Sequence, residues 1–341
     1  MLVLGIESTC DETASAVVNN GTTILSNIIS SQIELHQKYG GVVPELACRR
    51  HVDVIIPVID EALKEANKQL SDIDLIAVAY GPGLIGALLI GLNTAKALSL
   101  ALNKPFIGIN HTEAHLYAAI MSYPHPVTFP CIGAVLSGGH TSLVLIKEIG
   151  QYELISQTVD DAVGEAFDKV AKMLDLPYPG GPQIEELAKK GDAKRFNFKS
   201  GFVKGHPLDF SFSGLKTAVL YALKGQNIQN ENIVVISEEL KQDISASFQQ
   251  AALTDIVHKA LAAATKYQCK TLIFGGGVTN NRRLRTLFDE ARQEFTYIWP
   301  SMELTLDNAA MIAGLAYHQF IRKGHGDSLD LEPLARIPFT H

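Results

Sequence analysis

The sequence predicts an α/β protein made of a duplicated βββαβαβα unit, with two similar lobes facing each other across a cleft. Three observations carry this: the order of apolar runs, the repetition of that order, and a Ser/Thr/Gly-rich turn at the same place in each copy. In the first copy, strands at 2–6, 14–19 and 22–29 lie close enough for hairpins. A helix at about 48–68, strand 73–79, helix 84–102, strand 106–109 and helix 111–121 follow. The second copy places strands at 131–136, 141–147 and 152–158 before a helix at 161–173. It continues with a helix near 237–267, strand 271–274, helix 281–293, strand 296–298 and helix 307–322. The expected organisation is a first lobe over 1–125, a second over 126–306, and a C-terminal helix and tail over 307–341 that closes back on the first.

Of the 341 residues, 47% are hydrophobic and 19% charged, enough to bury a large core. Met1 leads directly into the strand-like Leu2-Val3-Leu4-Gly5-Ile6 without a basic leader or cleavage site, so no export is expected. The longest apolar run, 84–102, is interrupted by Asn93 and Lys96 and diluted by Ala and Gly, which suits a buried helix better than a spanning one. Cys10, Cys48, Cys131 and Cys269 form no C-x-x-C pair, so a reducing cytoplasm fits and a zinc ribbon does not. The formal net charge of -7 argues against a chain that coats nucleic acid by bulk electrostatics. Local basic patches remain, around Arg49-Arg50, Lys194-Arg195 with Lys199 and Lys204, and Arg282-Arg283 with Arg285.

His111-Thr-Glu-Ala-His115 puts two imidazoles at i and i+4, about 40° apart around a helix, where both can grip one transition metal. A helix-capping or packing role is the competing explanation for an isolated pair. In H-E-x-x-H proteases the general base directly follows the first histidine. Here Glu113 sits two residues from each histidine and faces away, so a protease base is misplaced.

The turns of Gly5-Ile-Glu-Ser-Thr-Cys-Asp-Glu-Thr13 and Gly133-Ala-Val-Leu-Ser-Gly-Gly-His-Thr141 end apolar strands with hydroxyls and backbone N–H groups suited to phosphate oxygens. Gly275-Gly-Gly-Val-Thr-Asn-Asn281 joins a strand to a helix and lets the backbone approach a flat ligand. Neither a G-x-G-x-x-G nor a Walker sequence is present, so Rossmann and P-loop readings weaken. Residues 175–235 form an insertion with Pro177-Tyr-Pro-Gly-Gly-Pro182 as a shaped loop; substrate recognition and simple packing are equally compatible with it.

This combination resembles the actin, Hsp70 and sugar-kinase (ASKHA) superfamily. Within it, eight motifs in order resemble the bacterial branch of the tRNA N6-adenosine threonylcarbamoyltransferases, once labelled O-sialoglycoprotein endopeptidases. They are Glu7-Ser-Thr-Cys-Asp-Glu-Thr13, Val43-Pro-Glu-Leu-Ala47, His111-Thr-Glu-Ala-His115, Ser137-Gly-Gly-His-Thr141, Asp161-Ala-Val-Gly-Glu-Ala-Phe-Asp168, Phe210-Ser-Phe-Ser-Gly-Leu-Lys216, Gly275-Gly-Gly-Val278 and Asp307-Asn-Ala-Ala-Met311.

The resemblance implies transfer of a threonylcarbamoyl group from L-threonylcarbamoyladenylate to N6 of the adenosine immediately 3′ of the anticodon, releasing AMP. The relevant tRNAs read codons that begin with A. It implies Asp307 as third metal ligand, with Fe(2+) favoured over Zn(2+), and a substrate site of Ser137, Gly138, Gly139, His140, Thr141, Asp168, Gly181 and Asn281. Asn280 keeps the register of the last open. Asp11 and Glu12 are candidates for the general base or for a phosphate-side cation, Mg(2+) with ATP included; His140 is a candidate for neutralising the leaving AMP. Cys10 is assigned to the core.

Implied partners are tRNA, a shorter paralogue of the TsaB type, a P-loop ATPase of the TsaE type and an adenylate supply from a TsaC-type synthase, with no membrane. Arg49, Arg50, Lys199, Lys204 and Lys216 are the expected RNA-contacting strip. The alternatives are an ATP-driven, chaperone-like binding module and, weakest, a metalloprotease.

Overall fold

The computed structural model describes residues 1–224, 236–291 and 294–339. Its elements in chain order are β1 (Leu2–Glu7), β2 (Glu12–Asn19), β3 (Thr23–Ser31), α1 (Ile33–Gln37), α2 (Pro44–Glu65), β4 (Leu75–Gly81), α3 (Ile85–Leu102), β5 (Phe106–Asn110) and α4 (His111–Ser122). The second series is β6 (Cys131–Leu136), β7 (Thr141–Glu148), β8 (Gln151–Gln157), α5 (Val163–Met173), α6 (Gly180–Ala188), α7 (Ser213–Lys224), α8 (Glu238–Lys266), β9 (Thr271–Gly275), α9 (Arg282–Ala291), β10 (Thr296–Ile298) and α10 (Ala309–Lys323).

One sheet has the order β3-β2-β1-β4-β5, the other β10-β9-β6-β7-β8. Read from the opposite edge, the second repeats the first strand for strand. β1 pairs antiparallel with β2, and β2 with β3, as hairpin-length connections dictate. β1 and β4, β4 and β5, and β6 and β9 are parallel, and their connections run through helices.

The chain divides into two compact units. Unit 1 holds 1–127, 146–153 and 298–341; unit 2 holds 128–145 and 154–297. The sequence-based boundary at 306 therefore falls inside unit 1, which also takes the tip of the β7–β8 hairpin. There the Arg322 guanidinium of α10 donates to the Gly150 carbonyl at 2.8 Å.

In unit 1, alternation along the buried strands sends Val3, Leu75 and Ala77 toward α4 and α10, and Leu4, Ile6, Ile76 and Val78 toward α2 and α3. α3 is long and apolar enough to span a membrane, yet Ala87, Leu88, Gly91, Leu92 and Ala95 are buried in the unit.

Four local expectations change. α2 starts at Pro44, not near 48, because proline at the first helical position has a preset φ and no N–H to leave unsatisfied. The short α1 was not expected. The insertion contains α6 and α7, while the part of it at 225–235 lies outside the described residues. α10 begins at Ala309 because Asn308 is its cap, accepting the Met311 N–H at 3.0 Å.

α10 lies close against β1 at Gly5, where a β-carbon would collide with the Ala309 carbonyl oxygen. This approach fixes the start of α10, and with it Asp307. Gly5→Ala is expected to cost about 1–3 kcal/mol as an overpacking change and to lower metal uptake, read by thermal melting and metal analysis. In unit 2, Asp160 braces the turn before α7, accepting from the Phe212 and Ser213 N–H groups and from the Ser211 and Ser213 hydroxyls. Burial raises its pKa, but these bonds outweigh that and hold it below the usual value. A depressed pKa stabilises the fold above the unfolded value of about 3.9 and loses that contribution as pH falls through the folded one. The melting-temperature gap between wild type and Asp160→Asn is therefore expected to narrow below about pH 4.

Candidate metal centre and nucleotide turns

Asn110 ends β5 and caps α4, its side chain accepting the Thr112 N–H at 3.0 Å. This makes His111 the first helical residue and turns His115 to the same face one turn later. Their Nε2 atoms lie 3.1 Å apart. An Asp307 carboxylate oxygen stands 3.1 Å from Nε2 of His115 and 3.5 Å from Nε2 of His111.

Two donors each about 2.1 Å from one ion stand about 3.0 Å apart in octahedral and about 3.4 Å in tetrahedral geometry. The three donor atoms match that spacing, and they form the three-residue group able to hold a metal among the described residues. Two imidazoles and one carboxylate suit Fe(II) or Zn(II). Asp307 stands one residue before the cap, so the helix start is satisfied by Asn308 and the Asp307 carboxylate is released toward the histidines.

Sequence reasoning gave Glu7 no role. It ends β1, is fully buried, and its Oε2 lies 2.9 Å from Nδ1 of His111, while Oε1 accepts the Thr9 N–H at 2.6 Å. A neutral His111 therefore donates from Nδ1 to Glu7 and presents a bare Nε2 to the Asp307 side. Burial opposes a charge on His111, but Glu7 and Asp307 outweigh it and raise its pKa to about 9. The pocket is thus built for positive charge. The one signal in the sequence was a glutamate closing an otherwise apolar strand.

Glu113 is fully buried on a different side of α4, accepting from the Gln319 side-chain amide at 3.3 Å. Burial raises its pKa to about 7, against the pull of Arg322. A glutamate held there is no base for a metal-bound water, so the protease reading loses its catalyst.

The first hairpin brings Cys10, Asp11 and Glu12 beside Asp307. Burial, then Asp11 and Asp307, push Glu12 up to about 10, and its Oε1 accepts from the Ser31 hydroxyl at 3.2 Å. Burial and the neighbouring carboxylates thus favour the protonated form of Glu12. Burial and the same carboxylates raise the Cys10 thiol far above its ordinary value, as a residue without a thiolate role requires.

In unit 2, the Ser137–His140 turn closes on itself: the His140 N–H donates to Oγ of Ser137 at 3.0 Å and the Ser137 N–H to the His140 carbonyl at 2.8 Å. Gly138 and Gly139 are exposed at its tip. Thr141 is buried, with its hydroxyl accepting the Val163 N–H at 2.8 Å, so it anchors the start of α5. Gly276, at φ 92°, seats the glycine-rich turn against Leu136 and Ser137, a contact that a β-carbon would block.

Asp168 accepts the Gly180 N–H at 2.7 Å, which brings it beside Gly181. Asn281 is buried with both ends of its amide engaged: Nδ2 donates to Gln249 at 2.7 Å and Oδ1 accepts the Leu284 N–H at 3.1 Å. Its observed work is to cap α9. Asp161 pairs with Lys169 at 2.6 Å and with Lys216 at 2.9 Å.

Replacing Glu7 by Gln removes the charge that orients His111. Metal affinity is expected to fall about 10–100-fold, measured by anaerobic Fe(II) and by Zn(II) titration. Melting of the metal-free protein checks the fold, and an unchanged affinity would show that Glu7 does not act on the centre.

The family profile for tRNA N6-adenosine threonylcarbamoyltransferase matches residues 23–314. A protein of that name from Protochlamydia amoebophila is 70% identical over 338 residues, covering 99% of this chain and 98% of its own length. Its namesake from Chlamydia trachomatis serovar L2b is 50% identical over 337 residues, 98% of each chain. Among solved structures, HypF of T. kodakarensis superposes with a TM-score of 0.63 at 15% identity, over 95% of this chain and 48% of that one. The (R)-2-hydroxyglutaryl-CoA dehydratase component A of Acidaminococcus fermentans gives 0.53 at 14%, over 94% and 98%. These two likenesses concern the fold alone, a two-sheet α/β architecture of the actin-like class. The family profile and the relatives decide membership: this chain belongs to the tRNA N6-adenosine threonylcarbamoyltransferase family.

Proposed function

We propose that this protein transfers the threonylcarbamoyl group of L-threonylcarbamoyladenylate to N6 of the adenosine 3′ of the anticodon, in tRNAs reading codons that begin with A. The observation that carries the reading is the convergence of His111, His115 and Asp307 in a chain of this family. The adenine exocyclic amine is a weak nucleophile because its lone pair is delocalised into the ring, so the electrophile must be activated and held. In the transfer, N6 forms a bond to the carbamoyl carbon, the bond from that carbon to the phosphate oxygen breaks, AMP departs and N6 loses a proton.

His111, His115 and Asp307 hold the metal, with Fe(2+) as the favoured ion and Zn(2+) as the alternative. When bound, such an ion supplies a Lewis acid that polarises a carboxylate or carbamoyl oxygen. Glu7 fixes the His111 ring. Glu12 hydrogen-bonds Asp11, and burial together with that neighbour favours its protonated form; in this reading Asp11 takes the N6 proton while Glu12 donates a hydrogen bond. The Gly138 and Gly139 backbone and the His140 side chain receive the adenylate phosphate, and Asp168 with Gly181 the ribose or threonyl part. Asn281 carries the adenosine-side assignment, with Asn280 beside it as the alternative register.

The reading places the protein in the cytoplasm, with a shorter paralogue, a P-loop ATPase using Mg(2+) and ATP, and an adenylate-forming synthase as partners. The free state of all four cysteines is compatible with that compartment.

The test incubates the metal-loaded protein with unmodified tRNA, threonylcarbamoyladenylate and these partners, then digests the RNA and measures threonylcarbamoyladenosine. Product is expected; its absence with every component competent would overturn the assignment. Chelation, or Asp307→Ala, is expected to remove product while the fold persists, and readdition of Fe(II) to restore it only in the wild type.

A further inference from the structure

Unit 2 contains an open groove of about 550 Å³ between the segment following α6 and the exposed side of α8. Phe196 and Phe198 line it with nearly parallel rings, 7° apart in plane and 5.4 Å between centroids. Lys194, Lys199 and His258 also line it. The segment is tied to α8, since the Phe196 N–H donates to the Ser247 hydroxyl at 3.2 Å and the Ser200 hydroxyl to the Ala251 carbonyl at 3.2 Å. Its aromatic pair is therefore presented on a fixed frame.

The charge of this stretch runs opposite to that of the chain. Residues 189–206 carry five lysines and one arginine against a single aspartate, in a protein of net charge -7. Asp192 spends its carboxylate on the Lys194 N–H at 2.8 Å, and Asp255 in the groove is paired with Lys259 at 2.7 Å. Among the described residues, Lys194, Arg195, Lys199 and Lys204 have no ion-pair partner. Phe202, between Lys199 and Lys204, is 78% exposed. An exposed phenylalanine and a half-buried aromatic pair interleaved with unpaired cations suit a single-stranded polyanion with stacking faces.

We infer that this groove is a tRNA subsite, in which Phe196 and Phe198 stack an unpaired base and Lys194 and Lys199 contact the adjoining phosphates. The inference rests on the transferase reading and adds a subsite separate from the residues assigned to the adenylate and the metal.

The test compares full-length, metal-loaded wild type with Lys194→Glu/Lys199→Glu, Phe198→Leu and Phe198→Tyr for binding of unmodified tRNA at several salt concentrations. Melting temperature and metal content serve as fold controls. The double charge reversal is expected to weaken binding at least tenfold and to flatten the log–log salt dependence by about two. Phe198→Leu is expected to cost about tenfold at an unchanged salt slope, with Phe198→Tyr near wild type because it keeps the stacking face. Unchanged tRNA affinity in the folded variants, or loss of a partner protein's binding in its place, overturns the subsite while leaving wild-type product formation intact. Failure of the wild type to bind or modify tRNA overturns the functional reading as well.

Discussion

The structure of unit 1 turns on one imidazole held between two carboxylates. Glu7 faces Nδ1 of His111, and Asp307 faces its Nε2. Each of the three arrives on a different element: Glu7 at the end of β1, His111 at the start of α4, Asp307 just before α10. β1, β4 and β5 run parallel, so the end of β1 and the turn from β5 into α4 open on the same edge of the sheet. α10 then brings the last carboxylate to that edge by lying close over Gly5. Two negative groups around one buried ring are unfavourable unless a cation completes them, and a proton or a metal ion can take that place.

Unit 2 repeats the strand order with different chemistry at the same strand end. Where β1 ends in Glu7 and a turn of hydroxyls and carboxyls, β6 ends in Leu136 and a turn whose tip is two exposed glycines. The first arrangement concentrates negative charge for a cation. The second exposes backbone, braced by α5 and by the Gly276 turn, and backbone N–H groups suit an anion. The same strand order thus carries a carboxylate-rich turn in one unit and a glycine-rich turn in the other.

What the sequence disclosed follows the range of the interactions. The succession of strands and helices along the chain and the pairing of His111 with His115 are local patterns, period two in strands and i, i+4 in a helix, and they were legible directly. Asp307 was legible only through family resemblance, because nothing local distinguishes a ligand from a cap. Asp307 and Asn308 are both good cap residues, and the choice depends on α10 packing over β1. Glu7 escaped because its partner lies across the sheet. The partners of Lys216, Thr141 and Asn281 were not legible either, because each is engaged by a neighbour distant in sequence or by the start of the next helix.

The proton on Glu12 bears on how such a centre avoids hydrolysing its own substrate. An activated carbamoyl adenylate next to an ionised carboxylate and a water molecule would be exposed to general-base attack by that water. Burial together with Asp11 and Asp307 keeps Glu12 protonated, and Cys10 keeps its thiol proton for the same reasons. A cation held at Asp307 would offset part of the repulsion that raises both groups, so the charge of the hairpin and that of the three-residue group are coupled.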